Sequence, residues 1–395
     1  MPKVSKRAQL TPASPIRKFL PLLLAAEKRG LQVLKLNVGD PDIAPPPAFL
    51  QTIKNYRNTQ VPYAPSPGFV QHVDAWRAYY KTIGVNLQRD QILPTVGCAE
   101  AIMYAMMAVA DPGDEILIFE PFYPSYRSFA EMLGIKLKAI TLKLENNYAM
   151  PDRKTIAKKI TKKTKAIVII NPNNPTGTIL TRPERAMIVS LAQQHNLFII
   201  ADETYRDIVF TGKPTSLLKI AAARQRTIVV DSASKRFSLP GARIGVLISC
   251  NPRVYASVLR FCMARLSAPT LEQFALVPLL TNPTAYIKKV VAVYKKRRDV
   301  VVRELKKIPG VTFFAPAGAF YLTVKLPVAD AEDFIKFLLT RFNADGKTVM
   351  VAPLNGFYHT PGLGKSSIRI AYVIDQAQLK TAIDLLKQAL ATYTK

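Results

Sequence analysis

Lys235 sits in a stretch whose residue types suit covalent carbonyl chemistry. It follows the β-type run 227–230 and two small hydroxylic residues, Ser232 and Ser234, with Arg243 eight positions on between Gly241 and Gly245. An amine held at a strand end can form an imine, small residues let backbones pack closely, and a fixed guanidinium suits a phosphate. Three further polar clusters stand where other strands read as ending: Gly97-Cys98-Ala99-Glu100, Asn171-Pro172-Asn173-Asn174-Pro175-Thr176-Gly177 and Asp202-Glu203-Thr204-Tyr205. Gly39, in Gly39-Asp40-Pro41-Asp42, can turn a free N–H toward an anion or simply make a turn.

These groups need a scaffold that gathers them. From residue 92 the pattern alternates strands at 93–96, 115–119, 136–141, 166–170 and 197–201 with helices at 101–110, from 151 and from 182. Strands that read as continuous apolar runs between helices predict a mostly parallel sheet covered on both faces. Such sheets bind ligands at the carboxyl ends of their strands, which brings the three clusters and Lys235 to one crevice. Small residues opening a helix at Gly97 leave N–H groups for an anion, with tight packing as the alternative. After a strand at 246–249, long helices are expected from 254 to about 307. A strand at 318–324, a helix at 330–342, strands at 349–353 and 367–372 and an amphipathic helix from 376 follow. The fold class is α/β: a large domain over 46–290, a smaller α+β domain over 291–395, and an N-terminal segment, 1–45, that joins the small domain.

Composition narrows the function classes. The 395 residues are 49% hydrophobic and 21% charged, enough apolar content to build cores and exclude disorder. The net charge of +28 attracts anionic ligands. Basic clusters such as Arg153-Lys154, Lys158-Lys159 and Lys295-Lys296-Arg297-Arg298 read as solvated helix faces, because no aromatics interleave as stacking platforms. No specific nucleic-acid partner is expected. Cys98, Cys250 and Cys262 lie far apart and suggest neither a disulfide framework nor a zinc cage, which fits a reducing, cytoplasmic setting. His72, His195 and His359 are isolated, so no metal site is expected, and there is no G-x-S-x-G elbow. Residues 19–26 mimic a secretory h-region but contain Pro21 and run into Glu27-Lys28-Arg29-Gly30, which reads as the end of a short helix. No run is long enough to span a bilayer, so no membrane partner is expected. Gly362-Leu363-Gly364-Lys365-Ser366 imitates the end of a P-loop, but the required upstream glycine falls at His359 and a strand follows.

The motifs come in the order N-P-T-G (174–177), D-x-x-Y (202–205), S-x-S-K (232–235) with an arginine eight residues later, and a late strand arginine, Arg369. This order resembles fold-type I pyridoxal phosphate enzymes, specifically class I/II aminotransferases of the aspartate aminotransferase superfamily, from Gly39 to Arg369. The resemblance implies pyridoxal 5'-phosphate as cofactor of the large domain, with Lys235 as Schiff-base lysine and proton shuttle. It implies that Asp202 pairs with the pyridine nitrogen and that Tyr205 and Asn174 bond the phenolic oxygen. Tyr123 falls where the family stacks an aromatic on the ring, core packing being the alternative. The N–H groups of Cys98 and Ala99, the hydroxyls of Ser232 and Ser234, and Arg243 would hold the phosphate. Tyr63 matches a tyrosine that reaches the neighbouring subunit's cofactor, implying a homodimer with shared active sites. Arg369 would grip the substrate α-carboxylate, assisted by Asn174 and the Gly39 N–H.

The implied reaction moves the amino group of an L-amino acid to a 2-oxo acid by a ping-pong route. Its specificity would be aspartate/2-oxoglutarate-like or broad. Ala99 stands where one bacterial subgroup has a lysine for the substrate's second carboxylate; Arg17 is a candidate replacement. A β-elimination lyase or synthase on the same fold is the alternative reaction. Because the resemblance begins by Gly39, no helix-turn-helix domain is expected ahead of it.

Overall fold

The computed structural model describes residues 2–393; Met1 and residues 394–395 of the expected terminal segments lie outside the described residues. Seven strands form one sheet in the spatial order Ile92–Val96, Ile244–Ser249, Thr227–Ser232, Phe198–Asp202, Thr164–Ile170, Glu115–Glu120 and Lys136–Thr141. Only Ile244–Ser249 runs against its neighbours; the other pairings are parallel. Thr164–Ile170 shows why its sequence is apolar throughout. Ile167 and Ile169 enter one core while Ala166, Val168 and Ile170 enter another on the opposite face. Helices Val70–Thr82 and Arg182–Gln194 cover the first face, and Gly97–Val109, Ser125–Leu133 and Pro252–Arg265 the second. The chain is thus a mixed α/β structure.

A third core joins the two ends of the sequence. Leu23 and Ala26 of helix Leu20–Lys28 pack with Val349, Leu379 and Leu386, and strand Gln32–Lys35 pairs in parallel with Lys347–Met350. Beside it, Ala352–Pro353, Ser367–Ala371, Tyr321–Lys325 and Thr312–Phe313 form a four-stranded antiparallel sheet. The 22-residue helix Thr284–Leu305 runs unbroken through residue 290.

Several boundaries differ from expectation for local reasons. The helix expected from 101 starts at Gly97, whose φ of +70° lets the chain turn directly out of its strand. The basic helix expected from 151 is only Arg153–Ala157, capped by the Asp152 side chain accepting from Thr155 N. The helical stretch 254–307 is three helices, interrupted where Leu266 adopts φ 81° and again at Asn282-Pro283. Arg297, expected on a solvated face, is instead buried and donates through Nη1 and Nη2 to both Asp42 oxygens, at 2.6 and 2.7 Å. Lys158, Lys159, Lys295 and Lys296 are exposed. Among the described residues no helix is long and apolar enough to cross a membrane.

Candidate active site

The carboxyl ends of the central strands open into a cavity of about 720 Å³. Gly39, Cys98, Ala99, Tyr123, Asn174 and Asp202 line it, as do Tyr205, Ser232, Ser234, Lys235, Arg243 and Arg369. These segments lie far apart in sequence, and the sheet order brings them together. Tyr63 is the predicted site residue the cavity does not include; it stands 77% exposed on the surface.

Lys235 projects from the one-turn helix Ala233–Arg236 that follows strand Thr227–Ser232, with Ser232 Oγ accepting from Ser234 N at its cap. Its Nζ donates to the Gly39 carbonyl at 2.8 Å. Burial pushes its pKa down to about 8, Arg369 and Arg243 push the same way, and Asp40 opposes them. The chain therefore offers an amine that is partly neutral near physiological pH.

Asp202 is the last residue of its strand, buried, and its Oδ1 accepts from Thr204 N at 3.1 Å while Oδ2 accepts from Tyr126 OH at 3.1 Å. Burial raises its carboxyl to about 6, tempered by those hydrogen bonds. A cation opposite would favour the ionised form.

The turn after Val96 builds a cup for an anion. A Cβ at Gly97 would lie 2.6 Å from Arg243 Nη2, and one at Gly245 would lie 2.6 Å from the Gly97 carbonyl carbon and 2.9 Å from Cys98 N. Glycine at both positions thus lets Arg243 and the helix N-terminus of Gly97–Val109 approach one point. The first N–H groups of a helix have no intrahelical partner, so those of Cys98 and Ala99 are available there.

On the opposite wall, Arg369 lies in Ser367–Ala371 and is 1% exposed. Nη1 donates to Asn174 Oδ1 at 3.0 Å and Nη2 to the Asn37 carbonyl at 2.6 Å, while buried Nε has no partner. Among the described residues no carboxylate pairs with it. A buried guanidinium with an unused donor beside a cavity has the chemistry to receive a carboxylate. Asn174 keeps its Nδ2 donor for a second acceptor.

Sequence reasoning missed Tyr321. Its hydroxyl is 2.9 Å from that of Tyr205, and its ring lies 4.3 Å from the Arg369 guanidinium. A Cβ at Gly39 would fall 1.8 Å from the Tyr321 Oη, so glycine there is required for space. Tyr126, whose hydroxyl donates to Asp202, and Arg127, which lines the cavity, were also missed; both lie in helix Ser125–Leu133, which follows Tyr123.

Together these groups fit a phosphorylated aldehyde with a basic ring nitrogen. There is an amine for the carbonyl, a buried carboxylate for the ring, a glycine-lined cup with an arginine for the phosphate, and Tyr123 on the wall.

Comparison with known proteins gives the same direction. The sequence model of the family "Aminotransferase class I and II" matches residues 32–386. The chain is 30% identical over 393 residues to an aspartate aminotransferase of Thermotoga maritima, covering 98% of this chain and 99% of that protein. It is 29% identical over 367 residues to an LL-diaminopimelate aminotransferase of Nitratidesulfovibrio vulgaris, covering 90% and 91%. Among solved structures, an alanine aminotransferase of Pyrococcus furiosus superposes with a TM-score of 0.90 at 29% identity, covering 99% of this chain and 100% of that one.

Proposed function

Because the chain belongs to the class I and II aminotransferase family, we propose that it moves the amino group of an acidic L-amino acid to a 2-oxo acid in this cavity. The protein is an aminotransferase of fold type I; the substrate, the cofactor's seat and the residue roles are our reading. One observation carries it: the cavity wall holds five basic side chains, Arg17, Arg127, Lys235, Arg243 and Arg369, against two acidic ones, Asp40 and Asp202. A phosphate takes Arg243 and an α-carboxylate takes Arg369. Arg17 and Arg127 are left over, and among the described residues neither has a carboxylate partner. They supply a second anion site where Ala99 supplies none.

Pyridoxal phosphate, the cofactor of this family, supplies when bound an electron sink for the pair left on the substrate α-carbon. Asp202 would hold a proton on its ring nitrogen, Tyr205 Oη and Asn174 Nδ2 would donate to its phenolic oxygen, and Tyr123 would cover its face. The Cys98 and Ala99 N–H groups, the Ser232 and Ser234 hydroxyls and Arg243 would grip its phosphate. Arg369, with the Gly39 N–H, would orient the substrate so that its α-hydrogen faces Lys235. The neutral Lys235 amine would take the proton from the substrate α-carbon and return it two atoms along, across the nitrogen, to the carbon that began as the cofactor's aldehyde, which is the proton movement amino transfer needs. The relatives named above are all aminotransferases, which favours transfer over β-elimination.

The test is a panel of L-amino acids followed by cofactor absorbance, with 2-oxo acids to reverse the change. Dicarboxylic donors are expected to react fastest. Arg17→Ala is expected to lower kcat/KM for them about ten-fold or more while leaving neutral donors within about two-fold, the loss of one charged contact. Equal loss for both donor types would refute the second anion site, and release of pyruvate and ammonia without a 2-oxo acid would favour elimination.

Tyr63 supports a shared-site dimer. It projects 77% exposed beside Val61 at 59%, and Leu266 at 50% lies on an adjoining turn through the bond from Ser66 Oγ to the Leu266 carbonyl. Apolar exposure of this kind suits a covering subunit. Sedimentation equilibrium is expected to give a dimer; an active monomer would remove this reading.

A further inference from the structure

Two residue pairs flank the cavity in the same way. Tyr205 and Lys235 line it, and the residue after each, Arg206 and Arg236, turns into the protein and is 1% exposed. Both guanidiniums reach one carboxylate. Arg236 Nη2 donates to Asp231 Oδ1 at 2.5 Å, and Arg206 Nη1 lies 3.3 Å from Asp231 Oδ2. Arg206 Nη1 also donates to Glu203 Oε2 at 2.8 Å. Arg236 Nε lies 2.9 Å from Asp207 Oδ2, an ion pair without hydrogen-bond alignment.

Helix Val70–Thr82 closes this cluster. Tyr79 OH donates to Asp207 Oδ2 at 2.5 Å and accepts from Arg206 Nη2 at 3.0 Å, and Tyr80 OH donates to Asp231 Oδ2 at 2.8 Å. The Tyr80 ring lies 4.4 Å from the Arg206 guanidinium and the Tyr79 ring 4.7 Å from that of Arg236. Burial works to raise the Asp207 carboxyl, but Arg236 and Arg206 outweigh it and hold it below the usual range.

Buried ion clusters are rarely more stabilising than apolar packing of the same volume, so this one calls for another role. Geometry supplies it. The helix bearing Lys235 is a single turn, Ala233–Arg236, too short to fix its own orientation, and Tyr205 lies in a turn beyond its strand. A planar guanidinium bound at two points resists rotation of the segment that carries it.

We propose that Arg206 and Arg236, joined through Asp231, are positioning residues that hold Tyr205 and Lys235 in register across the cavity. The proposal rests on Lys235 being the imine-forming residue. Arg206→Lys and Arg236→Lys keep the charge and lose the two-point contact, so changes in them report geometry. In the loaded enzyme each is expected to melt cooperatively and to lower kcat about ten-fold or more with KM within about three-fold, as sub-ångström misplacement does. The midpoint of the imine absorbance titration is expected to move by about half a pH unit or more. A lowered melting temperature with kcat and midpoint at wild-type values would make the cluster purely structural and overturn the proposal. Should neither lysine variant fold, Tyr80→Phe removes one hydroxyl from Asp231 and is expected to move the midpoint; an unmoved midpoint overturns the proposal equally. Lys235→Ala run in parallel separates the two assignments: an imine band surviving there means the lysine assignment is what failed.

Discussion

Lys235→Ala is expected to abolish amino transfer, lowering kcat by roughly 10⁴-fold or more, as loss of a covalent catalytic group does in other enzymes, and to remove the imine absorbance. Among the described residues no other lysine lines the cavity, so none of them can take over the amine's role. The variant keeps Arg243, the Gly97 turn and Asp202, and is expected still to bind the phosphate-bearing cofactor. Retained turnover with an intact imine band would show that the chemistry belongs to another residue. The cofactor-free wild-type protein offers a second check. Burial lowers the Lys235 amine from 10.5 to about 8, so its reaction with a small aldehyde is expected to rise through a midpoint near pH 8 rather than near 10.5. Between these two values the unfolded chain binds the additional proton. Stability of the cofactor-free protein through this group therefore rises with pH across that window.

Arg369→Ala is expected to raise KM for both amino acid and 2-oxo acid and to lower kcat/KM by about 100-fold or more, the range for losing a desolvated, forked contact to a carboxylate. Cofactor absorbance is expected to persist, because Arg369 faces Asn174 and the Asn37 carbonyl and not the Gly97 cup. Arg369→Lys restores charge without the fork and should recover only part of the loss. Unchanged kinetics in the alanine variant would make Arg369 structural. The removal also leaves Asn174 Oδ1 without its donor, so some of the loss is a freed asparagine.

The positions of Lys235, Asp202 and the Gly97 turn were legible because each follows a strand whose apolar run ends sharply in small or polar residues. A sheet covered on both faces leaves such breaks nowhere but at its rim. The segments at 171–177 and 202–205 were legible for the same reason. Tyr321 was not, because its partner Tyr205 is 116 residues away and nothing local marks a hydroxyl pair. Nothing local marks Arg206 and Arg236 as buried, and arginine is seldom fully buried. Their burial depends on Tyr79 and Tyr80 arriving from a helix more than a hundred residues upstream. Arg297 misled in the same way: its neighbours Lys295 and Lys296 are exposed, and the carboxylate that draws it inward, Asp42, lies 255 positions away. Helix starts shifted wherever a cap or a positive φ decided them, as at Gly97 and Asp152.

The meeting of the chain's two ends sets a limit on biosynthesis. The carbonyl that holds Lys235 belongs to Gly39, just beyond a strand that pairs with Lys347–Met350, and the cavity lining runs from Pro12 to Arg369. During vectorial synthesis the seven-stranded sheet, complete by Ser249, can fold while more than a hundred codons remain to be read. The first residues of the site must wait, unpaired, for the last. A ribosome-bound chain that has emerged past residue 249 but stops before residue 369 should therefore be a folded sheet with no working enzyme.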